Sequence, residues 1–337
     1  MRAYQLEAPR LDAFRIAELP RPTPGAGEVL VRLHAASLNY VDLAVATGAF
    51  PVPSLPLIPA ADGAGEVVET GSGVTGLAEG DRVIPHFLPD WSAGALPPVA
   101  GRRMRGITMP GSLADYAVVP AVSLVPVPQH LSFTEAATLP IAATTAWRAI
   151  RTGAIRPGST VLLLGTGGVS LFALQFAKAA GARVIITSSS DAKLERAKAL
   201  GADETINYTT TPDWDVRVLE LTGGAGVELV VETGGAGTFA RSLNAAAEEG
   251  TVFVIGFLSG ADLQTSLFPI IMKMLKVVGS NTGSVADLRE AVRAIEAGKL
   301  RPVVDRVHDF EDAAGAYAAL SRGSHFGKIA IALGNGG

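Results

Sequence analysis

The chain has 337 residues, close to half of them hydrophobic, a net charge of −4 and no cysteine. That size gives two domains or one large one, and the apolar content allows a sizeable core. The lack of cysteine excludes disulfides, thiol catalysis, iron–sulfur clusters and thiolate zinc sites together. Basic residues are scattered, so nothing points to nucleic acid. The one dense cluster, GRRMR at 101–105, reads as a solvated loop, with an anion site as the alternative. His34, His86, His130, His308 and His325 show neither HxxxH nor HxH spacing, and no metal site is expected from them. No apolar run reaches the roughly 18 residues that cross a bilayer. The opening MRAYQLEAPRLDAF carries no apolar signal core, so a cytoplasmic protein is expected, without a membrane partner.

Up to about residue 125 the chain is rich in Pro and Gly between short Val-rich runs such as EVLVRLHAAS, GAGEVVETG, DRVIPHF and ADYAVVP. Strand-length pieces cut by turn residues predict a compact β-rich domain. From about 130 the rhythm becomes strand–helix alternation. STVLLLG reads as a strand, VSLFALQFAKAAG as a helix stopped by Gly181, and RVIIT as the next strand. DAKLERAKALG follows as an amphipathic helix with Ser190 as its N-cap and Gly201 as its stop. ETINY, a helix over 213–222, VELVVE, a helix over 238–247, TVFVIG and LKVVGS continue the series. The alternation predicts an α/β fold with a parallel sheet covered by helices on both faces. The tail gives a helix (VADLREAVRAIEAG), an extended piece, a second helix (FEDAAGAYAALSRG) and a last strand (KIAIAL), expected to return to the first domain.

Gly165-x-Gly167-x-x-Ser170 nearly matches GxGxxG. It follows a predicted strand and opens a predicted helix, the context that the dinucleotide motif requires. Gly165 allows a tight turn and Gly167 a close approach of backbone to a pyrophosphate. The helix from Gly168 and Val169 offers free N–H groups and its positive dipole end to that anion. Ser170 stands where a third glycine is usual. An ordinary α/β turn without ligand is the alternative.

AASLNYVDL (35–43), GAGEVVETGSGVTGLAEGDRVIP (63–85), GSLADYAVVP (111–120), LSFTEAATLPIAATTAW (131–147), GTGGVSLFALQFAKAAGARVI (165–185), KLERAKALGAD (193–203), INY (206–208) and HFGKIAI (325–331) carry a resemblance over essentially the whole chain. With them the chain resembles the medium-chain dehydrogenase/reductase superfamily, and within it the zinc-free, quinone oxidoreductase-like branch. The resemblance implies a GroES-like catalytic domain from 1–125 and 284–337, a doubly wound Rossmann domain from 126–283, and an active site in the cleft. It also implies a homodimer formed where the apolar LFPIIMKMLKVVGS (267–280) ends in an edge strand.

Zinc-using members carry a catalytic Cys, His and Cys. Aligned on the flanking motifs, those positions are Asn39, Ala61 and Ile141 here. Ala and Ile have no donor and an amide oxygen suits zinc poorly, so no zinc is expected. Without that Lewis acid a simple alcohol is hard to oxidise. A quinone or an α,β-unsaturated carbonyl is already electrophilic, and positioning plus ordinary hydrogen-bond donors suffice. The resemblance places Asn39, Tyr40 and Asp42 near the reaction. Asn39 is a candidate donor to the substrate oxygen, or else holds its loop. Tyr40 is a candidate acid, or packing. Phe50 stands where an aromatic wall occurs, and His86 is either a lining residue or a structural one.

NAD-using members end the second strand on an acid that binds the adenosine ribose. Here the position is Ser188, followed by Ser189 and Ser190. A carboxylate there would repel a 2′-phosphate by about 4 kcal/mol at 4 Å and an effective dielectric of 20. Serine removes that repulsion. In NADPH-using members a lysine matching Lys193, a tyrosine matching Tyr208 and an arginine near the position of Arg322 contact the phosphate. NADP(H) is therefore expected over NAD(H), with a helix cap as the plain alternative for the serines. The resemblance adds Thr145 beside the nicotinamide, Thr233 and Gly234 after the fourth strand, Ile255, Gly256 and Phe257 after the fifth, and Asn281. Three readings follow: a reductase of quinones or activated enones, a dehydrogenase of simple alcohols and aldehydes, and a cofactor-binding structural or regulatory protein.

Overall fold

The computed structural model describes residues 1–98 and 102–334. Within the GRRMR cluster and the loop 86–110, residues 99–101 lie outside the described residues, as do 335–337 at the end of the C-terminal span. The chain divides into two compact units, one from Met1–Thr144 with Gly283–Gly337 and the other from Thr145–Thr282. The change of texture in the sequence places the first crossing near 125. The structure crosses at Thr144/Thr145, because the segment around Ile141 bonds into the first unit, where its N–H donates to Asp62.

The first unit opens with a hairpin of β1 (Arg2–Leu6) and β2 (Phe14–Glu18). The long β3 (Glu28–Leu38) leads into the short helix α1 (Tyr40–Ala46), and β4 (Asp62–Thr70) returns antiparallel along β3. β5 (Arg82–Pro85), β6 (Tyr116–Pro120) and β7 (Leu124–Pro126) extend the sheet. The one-turn α2 (Phe133–Ala136) is closed by a Ser132–Glu135 capping box.

In the second unit α3 (Thr144–Thr152) precedes β8 (Thr160–Leu163), α4 (Gly168–Ala179), β9 (Arg183–Ser188), α5 (Asp191–Ala199) and β10 (Glu204–Asn207). Then come α6 (Trp214–Leu221), β11 (Val227–Glu232), α7 (Ala236–Ala245), β12 (Ala246–Val254), α8 (Phe268–Met272) and β13 (Lys276–Gly279). The strands lie in the order β10-β9-β8-β11-β12-β13, all parallel. Both faces of the central strands are buried, from Val161–Leu163 to Val184–Ile186, as a helix-covered parallel sheet requires. This is a doubly wound Rossmann sheet, and its order reverses between β8 and β11. β12 starts at Ala246, earlier than the sequence predicts, and α7 ends sooner. The ammonium of Lys273 explains this by taking the carbonyls of Asn244 and Ala246 at 2.6 and 2.9 Å, capping the helix from a distance.

The tail supplies α9 (Val285–Gly298), β14 (Val304–Asp309), α10 (Ala313–Ser321) and β15 (Lys328–Ala332). β15 runs antiparallel to β3 with Ile329 opposite Leu38, so the two chain ends build one GroES-like sheet, in the order β14-β15-β3-β4-β5-β7 with β6 also on β3. The loop after β5 is anchored by buried Phe87, Leu88, Trp91 and Ile107. Among the described residues no helix is long and apolar enough to cross a membrane.

Candidate active site

In a doubly wound sheet ligands bind beyond the carboxyl ends of the strands where the order reverses. Two turns meet there. The turn after β8 has Gly165 at φ +72, where a side chain is strained, and a Cβ there or on Gly167 would have nothing within 4 Å. α4 starts at Gly168, with Val169 half-buried and backbone N–H groups of the first turn unpaired by the helix. This open, glycine-lined helix start fits a pyrophosphate. The Ser170 hydroxyl donates to Leu164 O at 2.8 Å, so the residue in place of the third glycine ties the helix to the strand end.

Thr233, after β11, donates to the same Leu164 carbonyl at 2.8 Å. The fully buried Glu232 organises this second turn. One carboxylate oxygen accepts from Gly234 N, Gly235 N and the Thr238 hydroxyl, the other from Ser242, and the Glu232 carbonyl takes Ile255 N and Gly256 N. Gly234 O accepts from Ser259. Gly234 and Gly256 therefore shape the crevice through internal bonds, and a Cβ on Gly256 would overlap Thr233 O at 1.8 Å. Phe257 is half-buried beside them. Thr145 is buried and donates to Thr282 at 3.4 Å, next to exposed Asn281. Sequence reasoning passed over Glu232; its position at a strand end before Thr-Gly-Gly was the available signal.

At the ends of β9 and β10, Tyr208 N donates to Ser188 O at 3.1 Å. Ser188 is 4% exposed and its hydroxyl accepts from Ser190 N, whereas Ser189 is exposed and Tyr208 is 43% exposed. Ser190 caps α5 by accepting from Lys193 N, which places Lys193 in the first turn of that helix. Ser188, Ser189, Lys193 and Tyr208 thus share one corner with no carboxylate at the strand end. Arg322, in the first unit, lines a shallow polar groove with Arg306, Ser324 and His325.

The first unit holds a buried charge cluster. Asp42 accepts from Asn39 N at 2.7 Å and Ala61 N at 2.8 Å. Asp62 accepts from the Asn39 amide at 2.8 Å and Ile141 N at 3.2 Å. The Lys328 ammonium donates to Leu38 O and Asn39 Oδ1, each at 2.6 Å, and lies 3.9 Å from Asp62. Burial raises the Asp62 carboxyl to about 7 against the pull of Lys328, raises Asp42, and lowers Lys328. Asn39 is thus bonded to both carboxylates, Ala61 to Asp42 and Ile141 to Asp62.

Residues 25–129 match the alcohol dehydrogenase GroES-like domain and residues 168–297 the zinc-binding dehydrogenase family. A zinc-type alcohol dehydrogenase-like protein of Schizosaccharomyces pombe is 44% identical over 91% of each chain. The chain belongs to the medium-chain dehydrogenase/reductase superfamily. It is an NAD(P)-dependent oxidoreductase of that superfamily. A solved NAD-dependent alcohol dehydrogenase superposes with a TM-score of 0.89 at 40% identity, covering 99% of this chain and 100% of its own. The solved 2-octenoyl-CoA carboxylase reductase in complex with NADP and 2-octenoyl-CoA superposes with 0.88 at 28% identity, covering 100% and 88%.

The zinc that the family name carries does not suit these residues. The Asn39 oxygen already accepts from an ammonium, Ala61 and Ile141 have no donor, and a divalent cation would meet Lys328 at hydrogen-bond range of the same amide. Among the described residues no three His, Cys, Asp or Glu side chains come together as a metal set. The remaining superfamily positions differ in setting. Tyr40 is 37% exposed, and Phe50 packs half-buried on the first unit's core. His86 is fully buried, with Nδ1 at 3.0 Å from Leu88 O and Nε2 without a hydrogen-bond partner among the described residues. Arg105 departs from the solvated loop expected for GRRMR. It is 1% exposed and donates to Gly111 O and Ser112, while Arg103 pairs with Asp90.

Proposed function

We propose that this protein is a zinc-independent reductase that takes NADPH in preference to NADH and delivers hydride to quinones or activated α,β-unsaturated carbonyls. The observation that carries the reading is the Lys328 ammonium on Asn39 Oδ1, at the position where a zinc-using relative needs a metal-binding donor. A site without a Lewis acid favours an acceptor that is electrophilic by itself. The solved relative with NADP and 2-octenoyl-CoA gives independent support for an activated carbon–carbon double bond as the acceptor.

NADPH, when bound, would supply the hydride; the acceptor's π electron pair would shift onto its oxygen, and a solvent proton would complete the product. The chain's own work is to hold the reactants. The α4 start and the Gly165–Gly167 turn seat the pyrophosphate. Ser189, Lys193 and Tyr208 accommodate the 2′-phosphate, with Ser188 keeping negative charge away. Thr233, Gly234 and the 255–257 turn, fixed by Glu232, frame the nicotinamide end. Asn39 holds its loop between Asp42, Asp62 and Lys328, and Tyr40 is its exposed neighbour.

The reading also includes a homodimer. β13 is an edge strand, and Phe268, Ile271, Met272 and Met274 beside it are 62–70% exposed. An apolar patch on an open sheet edge suits a second copy. The second reading, an NAD-dependent alcohol dehydrogenase, is favoured by the likeness to the 40%-identical NAD-dependent alcohol dehydrogenase. Titration of the protein with NADPH and NADH by nicotinamide fluorescence separates the two. Tighter NADPH binding that is lost in Lys193→Ala supports the proposal; equal or tighter NADH binding contradicts it.

A further inference from the structure

Two carboxylates and two cations lie buried together in the first unit: Asp42, Asp62, Lys328 and Arg105 are 2, 0, 4 and 1% exposed. Their formal charges cancel. Arg105 faces the field of Asp62, which holds its guanidinium charged against burial. Lys328 is more tightly built in. Its ammonium donates to Leu38 O and Asn39 Oδ1 at 2.6 Å and has Asp62 as its third neighbour at 3.9 Å. Asn39 in turn donates to Asp62, and the N–H groups of Asn39, Ala61 and Ile141 are all taken by Asp42 or Asp62.

Isolated buried carboxylates are strongly disfavoured unless a cation accompanies them. In a metal enzyme the ion supplies such a charge. Here a side chain of the last strand supplies it, 289 residues along the chain from its amide partner. We propose that the Lys328 ammonium is a built-in cation standing in for a metal ion: through Asn39 and Asp62 it gathers the segments of Asn39, Ala61 and Ile141 into one charge-balanced site. The inference rests on the zinc-independent reading and gives it a physical device. Lys328 is a structural cation in this account, holding Asn39 and Asp62 in place.

A double-mutant cycle tests it. Lys328→Met keeps the length and removes the charge. At about pH 8.5, above the value of about 7 to which burial raises Asp62, the expected result is a fall in thermal midpoint of roughly 10 °C, or failure to fold, because Asp62 must lose its cation or take up a proton. Adding Asp62→Asn removes the stranded charge, so Lys328→Met/Asp62→Asn should recover at least half of that loss. If the single variant does not fold, recovery of a folded double variant supports the proposal. A Lys328→Met protein as stable as the wild type, or a double variant no better than the single one, overturns it. Zinc content of the wild type is read separately. Stoichiometric zinc whose removal abolishes turnover defeats the zinc-independent reading, while the cycle alone decides whether Lys328 compensates Asp62.

Discussion

The backbone N–H of Tyr208 donates to the carbonyl of Ser188 at 3.1 Å. That bond sets an exposed phenol beside a strand end that carries a small neutral side chain. The strand end itself carries no acid of the kind that reads a ribose hydroxyl in NAD sites, and Asp191, three residues on, accepts from the Asn207 amide at 2.7 Å. Ser188→Asp should weaken NADPH binding at least about tenfold and leave NADH binding equal or tighter, since a carboxylate beside a phosphate costs up to about 4 kcal/mol before screening. Fluorescence titrations of both cofactors at fixed salt check it, and equal loss for both would remove charge as the cause.

Gly167 gives a cleaner separation of folding from binding. Its φ is −81 and a Cβ would meet nothing within 4 Å, so Gly167→Ala should fold with an unchanged thermal midpoint. The added methyl fills the space that the proposed pyrophosphate needs. Cofactor affinity should fall about tenfold or more, which is about 1.4 kcal/mol. An unaltered cofactor titration would place the pyrophosphate elsewhere.

His86 makes a prediction about pH. Burial lowers its imidazole to about 4, whereas the unfolded chain takes up the proton near the ordinary 6.5. Below 6.5 the unfolded state binds more protons, so this contribution is present above 6.5 and is lost as pH falls toward 4. Asp62, raised to about 7, acts oppositely: the folded state holds the extra proton between about 4 and 7, favouring the acid side. The two slopes offset each other in the wild type. His86→Asn should expose the Asp62 slope, so from about pH 7.5 to about pH 5 its unfolding free energy changes by about 2 kcal/mol in the stabilising direction relative to wild type. Urea unfolding at both pH values reads this; parallel pH curves for the two proteins would contradict it.

The proposed dimer is equally exposed to test. Ile271→Asp on the exposed face of α8 places a charge in the apolar patch without touching the core. Light scattering should give twice the chain mass for wild type and a single chain mass for the variant, with the thermal midpoint of the variant reported alongside. A monomeric wild type would remove the homodimer from the account.

Much of this fold is legible in local patterns. The glycine turn, the N-cap at Ser190 and the edge strand near Lys276 are each written in adjacent residues, and they stand where the sequence places them. Features set by distant partners are not legible. The start of β12 depends on Lys273 reaching back to α7. Arg105 reads as a surface charge until the loop closes and Gly111 and Ser112 take its guanidinium. HFGKIAI reads as a strand, and nothing in it names Asn39 as the partner of Lys328. Glu232 is intermediate: its neighbours in sequence are its partners, yet an acid ending a buried strand was read only as part of the strand.

The most direct test of the central claim is single-turnover oxidation of NADPH by protein treated with a strong chelator and shown by elemental analysis to be zinc-free. An α,β-unsaturated ketone, a quinone and a simple aldehyde serve as acceptors. The account predicts that the unsaturated ketone or the quinone oxidises NADPH at the rate of untreated protein, with little reaction of the aldehyde. Activity confined to the aldehyde, or recovered only on adding zinc, would contradict it.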